Sequence, residues 1–348
     1  MNTLGKGAYG YVIEDHGVAI KTFLKLPHII QEYGMLKYLN DCKYIVHTTG
    51  IDFENKALSM TLYKYSLRKW MNDDDCCCCQ DCLKLIIHDV LCGLVELQDR
   101  GLSHSDIKPG NILISNKPLK AVLGDCGFVS IAKYSKQQRT AQTYRDIHVV
   151  NDLKHDMFSL GIMMMELFYR IKPTVRDKYK DYYNVIDKRV KHEKYRNLFK
   201  SLLNEKRELR PTARDVLQLL YHETPDHIIL KQHVGHFNDV FKKYNKEKID
   251  ELELFIKHHY KQLYIKRSKR GFKALLYFLS KNDVVSPKLL KFYLAATLMI
   301  LSSIFGNHSP ILRDIVSMCD LPEHNRKKLL HIIDLLIKDD GFMLTLMS

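Results

Sequence analysis

The sequence predicts an α+β fold in which a small part rich in β-strands precedes a larger helical part. Within the first 62 residues, segments 12–13, 18–21 and 57–62 are short and apolar and are bounded by turn residues, as strands are. Farther on, apolar residues recur at helical spacing, beginning at residues 82–97. A chain of 348 residues has room for one large domain and a smaller one.

The composition is that of a folded globular protein with an excess of positive charge. Hydrophobic residues make up 46% of the chain and charged residues 27%. The first residues lack a basic region followed by an apolar stretch, so we expect no signal peptide and an intracellular protein whose nine cysteines are free thiols. The net charge of +14 predicts attraction to an anion, without choosing among ATP, acidic proteins, nucleic acid and lipid headgroups.

A glycine-rich stretch opens the strand-rich part. Residues 5–12 read Gly-Lys-Gly-Ala-Tyr-Gly-Tyr-Val, and such glycines allow the backbone to approach phosphate groups closely. The pattern alone is weak, because dinucleotide-binding turns share its glycines. Here a strand leaves the glycines and passes through a predicted hairpin turn at 15–17 into residues 18–21, Val-Ala-Ile-Lys. Because no helix opens on the glycines, the order argues against a dinucleotide fold.

The next segment, residues 27–40, is predicted to be a helix that carries a functional carboxylate. Its apolar residues follow helical spacing. Glu32 lies among them and is the candidate partner of Lys21, because an ion pair of this kind orients the lysine amine towards phosphate. A solvated surface glutamate is the alternative.

The chemistry concentrates in residues 104–111, His-Ser-Asp-Ile-Lys-Pro-Gly-Asn, which form a loop before an apolar strand at 112–114. Asp106, Lys108 and Asn111 place a carboxylate, a cation and an amide on one loop. Phosphoryl transfer to a hydroxyl uses a base, a cation that steadies the transferring charge, and a metal ligand. A second carboxylate follows at a glycine turn, Asp125-Cys126-Gly127. Taken alone, the loop is also compatible with a polar turn between buried strands.

Together these motifs resemble the eukaryotic protein kinase superfamily. The resemblance implies a bilobal kinase fold, with Asp106 as catalytic base and Lys108 in contact with the γ-phosphate of ATP. It implies that Asn111 and Asp125 bind Mg²⁺ and that Lys21, paired with Glu32, holds the α- and β-phosphates. The adenine would lie beneath Val12 and Ala19, against the backbone of residues 61–63, with Met60 or Thr61 at the back of the pocket. The full set of implied nucleotide-binding residues is Gly5, Gly7, Gly10, Val12, Ala19, Lys21, Met60, Leu62, Tyr63 and Leu113.

The resemblance covers residues 1–222, with a small lobe at about 1–62 and a large lobe at about 63–222. Residues 156–161 resemble a helix start that anchors the catalytic loop, and residues 210–217 resemble a later helix capped by Thr212. Lysine two places after the base is the serine/threonine form. The residues Leu123-Gly124-Asp125 are most similar to the corresponding motif in kinases of large DNA viruses, the herpesvirus type in particular.

Three departures from the family pattern bear on activity. The Ala-Pro-Glu that ends the activation segment is absent and residues 146–148 read Asp-Ile-His, so we expect no usual glutamate pair with Arg210. Ser105 replaces the arginine that reads an activation-segment phosphate, which predicts activity without that phosphate. Cys126 replaces a phenylalanine.

Cysteines and acidic residues crowd residues 73–82. A zinc site is one interpretation, but zinc sites usually use spaced pairs, and a low-complexity loop is favoured.

Residues 223–348 are predicted to be a helical extension of unknown role. Residues 266–270 are basic, which suits a nuclear import signal, an anion-binding patch or a solvated helix end. Residues 292–305 are strongly apolar but shorter than the roughly twenty needed to cross a membrane. We therefore predict no transmembrane span and a buried helix that docks on the kinase lobe or binds a protein partner.

The favoured function is a Mg²⁺- and ATP-dependent serine/threonine protein kinase with protein substrates. A pseudokinase scaffold is supported by the missing Ala-Pro-Glu and by Cys126. A small-molecule kinase is the third hypothesis, against which Lys108 and the Val-Ala-Ile-Lys strand argue. We predict no stable nucleic-acid binding and a location in the cytoplasm, with the nucleus left open.

Overall fold

The structure, a computed structural model, describes residues 2–7, 9–73, 79–131, 142–147, 153–176, 178–223, 271, 274–275, 277–279, 287–305 and 326–347. The chain divides into two compact units, which do not follow chain order. The first contains residues 1–40, 48–60 and 229–348, and the second contains residues 41–47 and 61–228. The predicted α+β class is confirmed, with a β-sheet in the N-terminal part and helices in the rest.

The first unit is built on a five-stranded sheet with the strand order β1-β2-β3-β5-β4. Its first three strands form consecutive antiparallel pairs, as do β4 and β5. The predicted hairpin turn joins β2 to β3, where His16 (φ 47°) and Gly17 (φ 78°) have the positive dihedrals that a tight two-residue turn requires. The strands are β1 (Asn2–Gly7), β2 (Gly10–Asp15), β3 (Val18–Phe23), β4 (Thr48–Asp52) and β5 (Ala57–Thr61).

One helix of this unit, α1 (Leu26–Tyr38), is buried on more than one face. Pro27 in its first turn suits a helix start, because the backbone N–H that proline lacks has no partner there. Eight of its thirteen residues are buried. The helix packs against β3 and β4 and also against three C-terminal helices, α8 (Pro287–Phe305), α9 (Arg326–Lys338) and α10 (Asp340–Met347).

The apolar segment predicted at residues 292–305 therefore lies within α8. Among the described helices, none combines the length and the apolarity needed to cross a membrane. Residues 329–337, whose apolar residues follow helical spacing in the sequence, lie in α9. The basic cluster at residues 266–270 lies outside the described residues.

Among the described residues, the second unit contains six of the ten α-helices and two small sheets, β7-β10 and β6-β8-β9. Ser66 caps the short helix α2, and Cys79 caps the long helix α3, which ends before Gly101 (φ 68°). The predicted cap of α7 is confirmed as a full capping box, in which Thr212 and Asp215 bond to each other's backbone. The strands are β6 (Tyr65–Ser66), β7 (Leu102–Ser103), β8 (Ile112–Asn116), β9 (Leu119–Leu123) and β10 (Ser130–Ile131). The helices are α2 (Leu67–Trp70), α3 (Gln80–Asp99), α4 (Leu153–Tyr169), α5 (Tyr179–Arg189), α6 (Glu193–Leu202) and α7 (Ala213–Tyr221).

Helix α4 forms the centre of this unit, with thirteen of its seventeen residues buried. Most of the buried residues are apolar, and the buried polar side chains of Asp156, Ser159 and Glu166 form hydrogen bonds. The helix packs against α3, α6 and β7. Strand β4 and helices α5 and α6 have no counterpart among the predicted elements.

Candidate active site

The glycine-rich stretch lies on the β1–β2 hairpin of the first unit. Gly10 has φ 154°, and a β-carbon there would lie 1.8 Å from the carbonyl oxygen of Thr22, so the fold itself requires glycine. Gly5 and Gly7 differ, because a β-carbon at either would meet no described atom within 4 Å and neither has a positive φ. Neither backbone conformation nor described packing explains these two glycines. That these two glycines let the backbone approach a phosphate therefore stays a prediction from the sequence.

A buried ion pair joins β3 to α1. Lys21 Nζ donates to Glu32 Oε2 at 2.6 Å, and the side chains are 13% and 1% exposed. Val12 lies opposite Lys21 in the β2–β3 register. Ala19 on β3 and Met60 on β5 are both buried. Because breaking a buried pair leaves an uncompensated charge, the lysine amine is held firmly in position by Glu32.

In the second unit, the loop between β7 and β8 holds the Asp106 carboxylate between two donors. Lys108 Nζ donates to Asp106 Oδ2 at 2.6 Å. Asn111 Nδ2 donates to the same oxygen at 2.7 Å and to the Asp106 backbone carbonyl at 2.9 Å. Asp106 is only 1% exposed. The three side chains that the sequence placed on one loop are therefore in direct contact, with the carboxylate as their centre.

Asp156, at the start of α4, fixes the backbone of this loop. Its carboxylate accepts hydrogen bonds from the backbone N–H of His104 at 2.7 Å and of Ser105 at 2.8 Å, and from the Ser103 hydroxyl at 3.0 Å. Ser105 has φ 66°, a conformation that costs a non-glycine residue free energy. The hydrogen bonds that the Asp156 carboxylate accepts offset that cost. They are the physical basis of the anchoring role predicted for residues 156–161.

The second predicted carboxylate, Asp125, lies on a turn bonded to the same loop. It has left-handed dihedrals (φ 55°, ψ 60°) just before a 3₁₀ turn, Cys126–Phe128. The preceding residue, Gly124, donates its N–H to the Asn111 carbonyl at 2.8 Å, and its own carbonyl is 3.0 Å from His104 Nε2. A β-carbon on Gly124 would lie 2.8 Å from the Leu113 side chain, so glycine is needed for this close packing.

Asn111 and Asp125 fit a hard divalent cation such as Mg²⁺. The Asn111 Nδ2 group donates to Asp106, so the amide oxygen is the atom of this side chain that is suited to bind a metal. An amide oxygen and a carboxylate are oxygen donors of the type that magnesium prefers, and this ion takes its other ligands from water and substrate phosphates. Within the described part of the chain, no group of three or more His, Cys, Asp or Glu side chains forms a metal site. Residues 74–78 of the cysteine-rich segment lie outside that part.

As expected, Arg210 has no glutamate partner of the usual kind, but a different carboxylate binds it. Arg210 Nη1 donates to Asp146 Oδ2 at 2.8 Å, and both side chains are fully buried. Arg207 lies 3.2 Å from the same oxygen, and Tyr179 donates its hydroxyl to the other at 2.5 Å. Burial by itself raises the pKa of Asp146, but these donors outweigh it, so the pKa is lowered. Asp146 thus gives Arg210 a buried carboxylate partner where the family pattern has a glutamate.

A further, partly buried cluster was not anticipated. Arg68 forms a two-pronged pair with Glu166, at 2.6 and 3.0 Å, and also donates to the Tyr144 hydroxyl at 2.5 Å. Tyr144 donates in turn to Glu166 at 2.5 Å. In the sequence, Tyr144 lies in residues 140–145, which resemble a threonine- and tyrosine-containing stretch of a kinase activation segment, and that resemblance does not predict this contact. The sequence predicts an activation segment at residues 128–145, of which residues 132–141 lie outside the described residues.

The predicted site residues are shared between the two units. The first unit carries Gly5, Gly7, Gly10, Val12, Ala19, Lys21, Glu32 and Met60. The second carries Leu62, Tyr63, Asp106, Lys108, Asn111, Leu113 and Asp125. Each unit assembles its own charged cluster, Lys21 with Glu32 in one and Asp106 with Lys108 and Asn111 in the other.

Comparison with known proteins gives a consistent picture. Residues 1–226 match the family model of the protein kinase domain. The interferon-induced, double-stranded RNA-activated protein kinase of Mus musculus is 25% identical over 256 residues, which cover 62% of this chain and 49% of that protein. The corresponding protein of Rattus norvegicus is 23% identical over 260 residues, with 62% and 50% covered. Serine/threonine-protein kinase SBK1 of Danio rerio is 32% identical over 172 residues, with 44% of each chain covered. The chain thus spans half or less of the length of these relatives.

Proposed function

Because the chain belongs to the protein kinase domain family, with a match over residues 1–226, we propose that it is a serine/threonine protein kinase that uses Mg²⁺ and ATP. The observation that carries this proposal is the Asp106 carboxylate, buried and held by Lys108 and Asn111. A scaffold that had lost catalysis would have no need of a carboxylate held in this way. Serine/threonine specificity is supported by Lys108 and by the similarity to SBK1.

In the proposed reaction, a serine or threonine hydroxyl of the substrate protein attacks the γ-phosphorus of ATP. Asp106 orients the hydroxyl and accepts its proton as the new oxygen–phosphorus bond forms. The bond from the γ-phosphorus to the bridging oxygen breaks, and ADP leaves. Lys108 lies beside the carboxylate, where its charge steadies the transferring group. Positioning and charge stabilisation supply most of the catalysis in such transfers.

The first unit would supply the nucleotide contacts. Lys21, oriented by Glu32, would hold the α- and β-phosphates, and the backbone at Gly5 and Gly7 would approach the phosphates from the other side. Val12, Ala19, Met60, Leu62, Tyr63 and Leu113 would surround the adenine. A magnesium ion held by Asn111 and Asp125 would neutralise phosphate charge.

Finer assignments rest on the sequence. We propose that it is a kinase of the type found in large DNA viruses, because of the motif Leu123-Gly124-Asp125. An intracellular location is supported by the free thiols of the five cysteines for which the structure gives a state.

The direct test is transfer of labelled γ-phosphate to a generic protein substrate. We expect labelling by the wild type, and a loss of about a hundredfold or more in Asp106→Asn and Asp125→Ala, because each removes a group used in the transfer. Asp187→Ala is the matched control. It removes a half-exposed carboxylate paired with Lys200 and should keep full activity.

Labelling that persists in Asp125→Ala would indicate a contaminating kinase. A folded wild type that binds ATP but labels nothing would refute the proposal in favour of a scaffold.

Phosphatase treatment of the purified protein should leave its activity unchanged. The side chain of Ser105 is buried and donates to the Ser103 hydroxyl at 3.2 Å, so it offers no cation to an activation-segment phosphate. Activity is measured before and after treatment, with loss of phosphate checked by mass spectrometry. Abolished activity would contradict this reading of Ser105.

A further inference from the structure

The outer face of α1 is covered by helices from the far end of the chain. Gly34 lies at the contact, where a β-carbon would be 3.4 Å from Ile304 of α8, 3.7 Å from Met343 of α10 and 3.9 Å from Ile337 of α9. Three helices that begin about 250 to 300 residues later thus meet at one position of α1. Ile304, Ile337 and Met343 are all buried, so this contact is a packed apolar interface.

A hydrogen bond also joins α1 to α9 at this interface. Tyr33 donates its hydroxyl to Asp334 Oδ1 of α9 at 3.0 Å, and Lys338 holds the other Asp334 oxygen at 2.7 Å. Burial and the negative charge of Asp334 raise the pKa of Tyr33, so the hydroxyl stays protonated and remains a donor. A hydrogen bond to a charged acceptor is stronger than a neutral one and depends on geometry. It therefore restricts both the rotation and the sliding of α1.

The contacts on the two sides of α1 come from consecutive residues. Glu32 bonds to Lys21 on the sheet side, while Tyr33 and Gly34 meet the C-terminal helices. Successive residues of an α-helix point about 100° apart, so the helix presents these groups to different neighbours at once. A shift of α1 that broke the contacts of Tyr33 and Gly34 would move Glu32 as well.

We propose that helices α8, α9 and α10 act as an intramolecular brace, which holds α1 in the position where Glu32 orients Lys21. Tyr33 and Asp334 are then positioning residues that act through Glu32, and Gly34 marks where the three helices pack against α1. The brace rests on the proposed function, because orientation of Lys21 matters only if the lysine holds ATP phosphates. It gives the helical extension a role in the phosphate-binding half of the site.

The test compares the affinities of the full-length protein for ATP and for adenosine, which has no phosphates and cannot use Lys21. Gly34→Phe inserts a wedge into the interface, with Gly34→Ala as its control because a β-carbon meets only ordinary contacts. Asp334→Ala removes the acceptor, with Leu335→Ala as its control because this neighbouring side chain is 38% exposed. Affinities are measured by titration calorimetry, and hydrogen exchange of residues 26–38 reports on α1 itself.

We expect Gly34→Phe and Asp334→Ala to weaken ATP binding about tenfold, with adenosine binding nearly unchanged and exchange in α1 increased. Both controls should match the wild type. In a Lys21→Met background neither change should weaken ATP binding further, because effects that act through one group are not additive.

Four results would overturn the brace. Equal losses for ATP and adenosine would show that the C-terminal helices only stabilise the fold. Unchanged ATP affinity in both variants, or a full additional loss in the Lys21→Met background, would show that they do not act on Lys21. A wild type that binds no ATP would overturn the proposed function itself, and the brace with it.

Discussion

At the scale of single residues, the pair Asp146–Arg210 is a buried ion pair in which an aspartate stands where the family pattern has a glutamate. Arg210 is buried and would cost several kcal/mol if left without a counter-charge. Asp146 supplies that charge, and Arg207 and Tyr179 satisfy the rest of the carboxylate. The missing Ala-Pro-Glu was the main argument for a scaffold without catalysis. The ion pair weakens that argument, because the contact is rebuilt with a shorter acid.

Asp146→Asn should destabilise the protein by about 3–5 kcal/mol, because it leaves Arg210 buried without its anion. The pKa of Asp146 is lowered in the folded protein from its ordinary 3.8. The stability it contributes is therefore fully present above that value and is lost as the pH falls through the lower folded-state pKa. Thermal melts of wild type and variant should differ by a constant amount above about pH 4 and converge below it.

Asp187→Asn serves as the control, since its half-exposed pair with Lys200 should contribute less than about 1 kcal/mol. A pH-independent difference between wild type and Asp146→Asn would contradict the ionic explanation.

At the scale of the elements, glycines mark where helices come close together, but with different tolerances. On α4, a β-carbon at Gly161 would lie 2.4 Å from Leu203 and 3.0 Å from the β-carbon of Leu202. On α1, the tightest contact at Gly34 would be 3.4 Å, to the end of a flexible isoleucine side chain. The α4–α6 contact thus requires glycine, and the α1–α8 contact tolerates alanine.

Gly161→Ala should therefore lower the free energy of unfolding by about 1–3 kcal/mol, because the added carbon overpacks the contact with α6. Gly34→Ala should be neutral or stabilising by up to about 1 kcal/mol, since alanine favours helix over glycine. Urea denaturation of both variants beside the wild type measures the difference. Equal effects at the two positions would mean that helix propensity, and not the close approach, determines the outcome.

At the scale of the whole molecule, the net charge of +14 is the dominant property. Charge of this size acts at long range and raises the rate of encounter with anions. ATP is one such anion, and acidic protein substrates would be others. Because salt screens exposed charges over about 10 Å at 0.1 M, the effect must weaken as ionic strength rises.

Phosphorylation of an acidic protein substrate should accordingly fall more steeply with added salt than phosphorylation of a short neutral peptide. The ratio of the two kcat/KM values, measured from low to physiological ionic strength, isolates the long-range contribution. A ratio that does not change with salt would show that the excess positive charge plays no part in substrate encounter.

Much of the architecture follows from local patterns. The hairpin at His16 and Gly17, the Pro27 start of α1 and the Thr212 cap of α7 were predictable, because each depends on residues within one turn of each other. The cluster of Asp106, Lys108 and Asn111 was predictable for the same reason, since all three occupy one loop. Strand β4 and helices α5 and α6 were missed, because tertiary packing and not local pattern selects them.

The sequence by itself determined the α+β class, the glycine hairpin and the loop chemistry, which depend on near neighbours and on backbone preferences. Only the tertiary structure decided which distant groups meet: Asp146 with Arg210 across 64 positions, and Tyr33 with Asp334 across 301. The physical reason is that the sequence around Arg210 or Tyr33 does not identify which of the chain's carboxylates is the partner. Burial of the surrounding apolar helices brings one of them within hydrogen-bond distance, and a buried charge without such a partner would be too costly to keep.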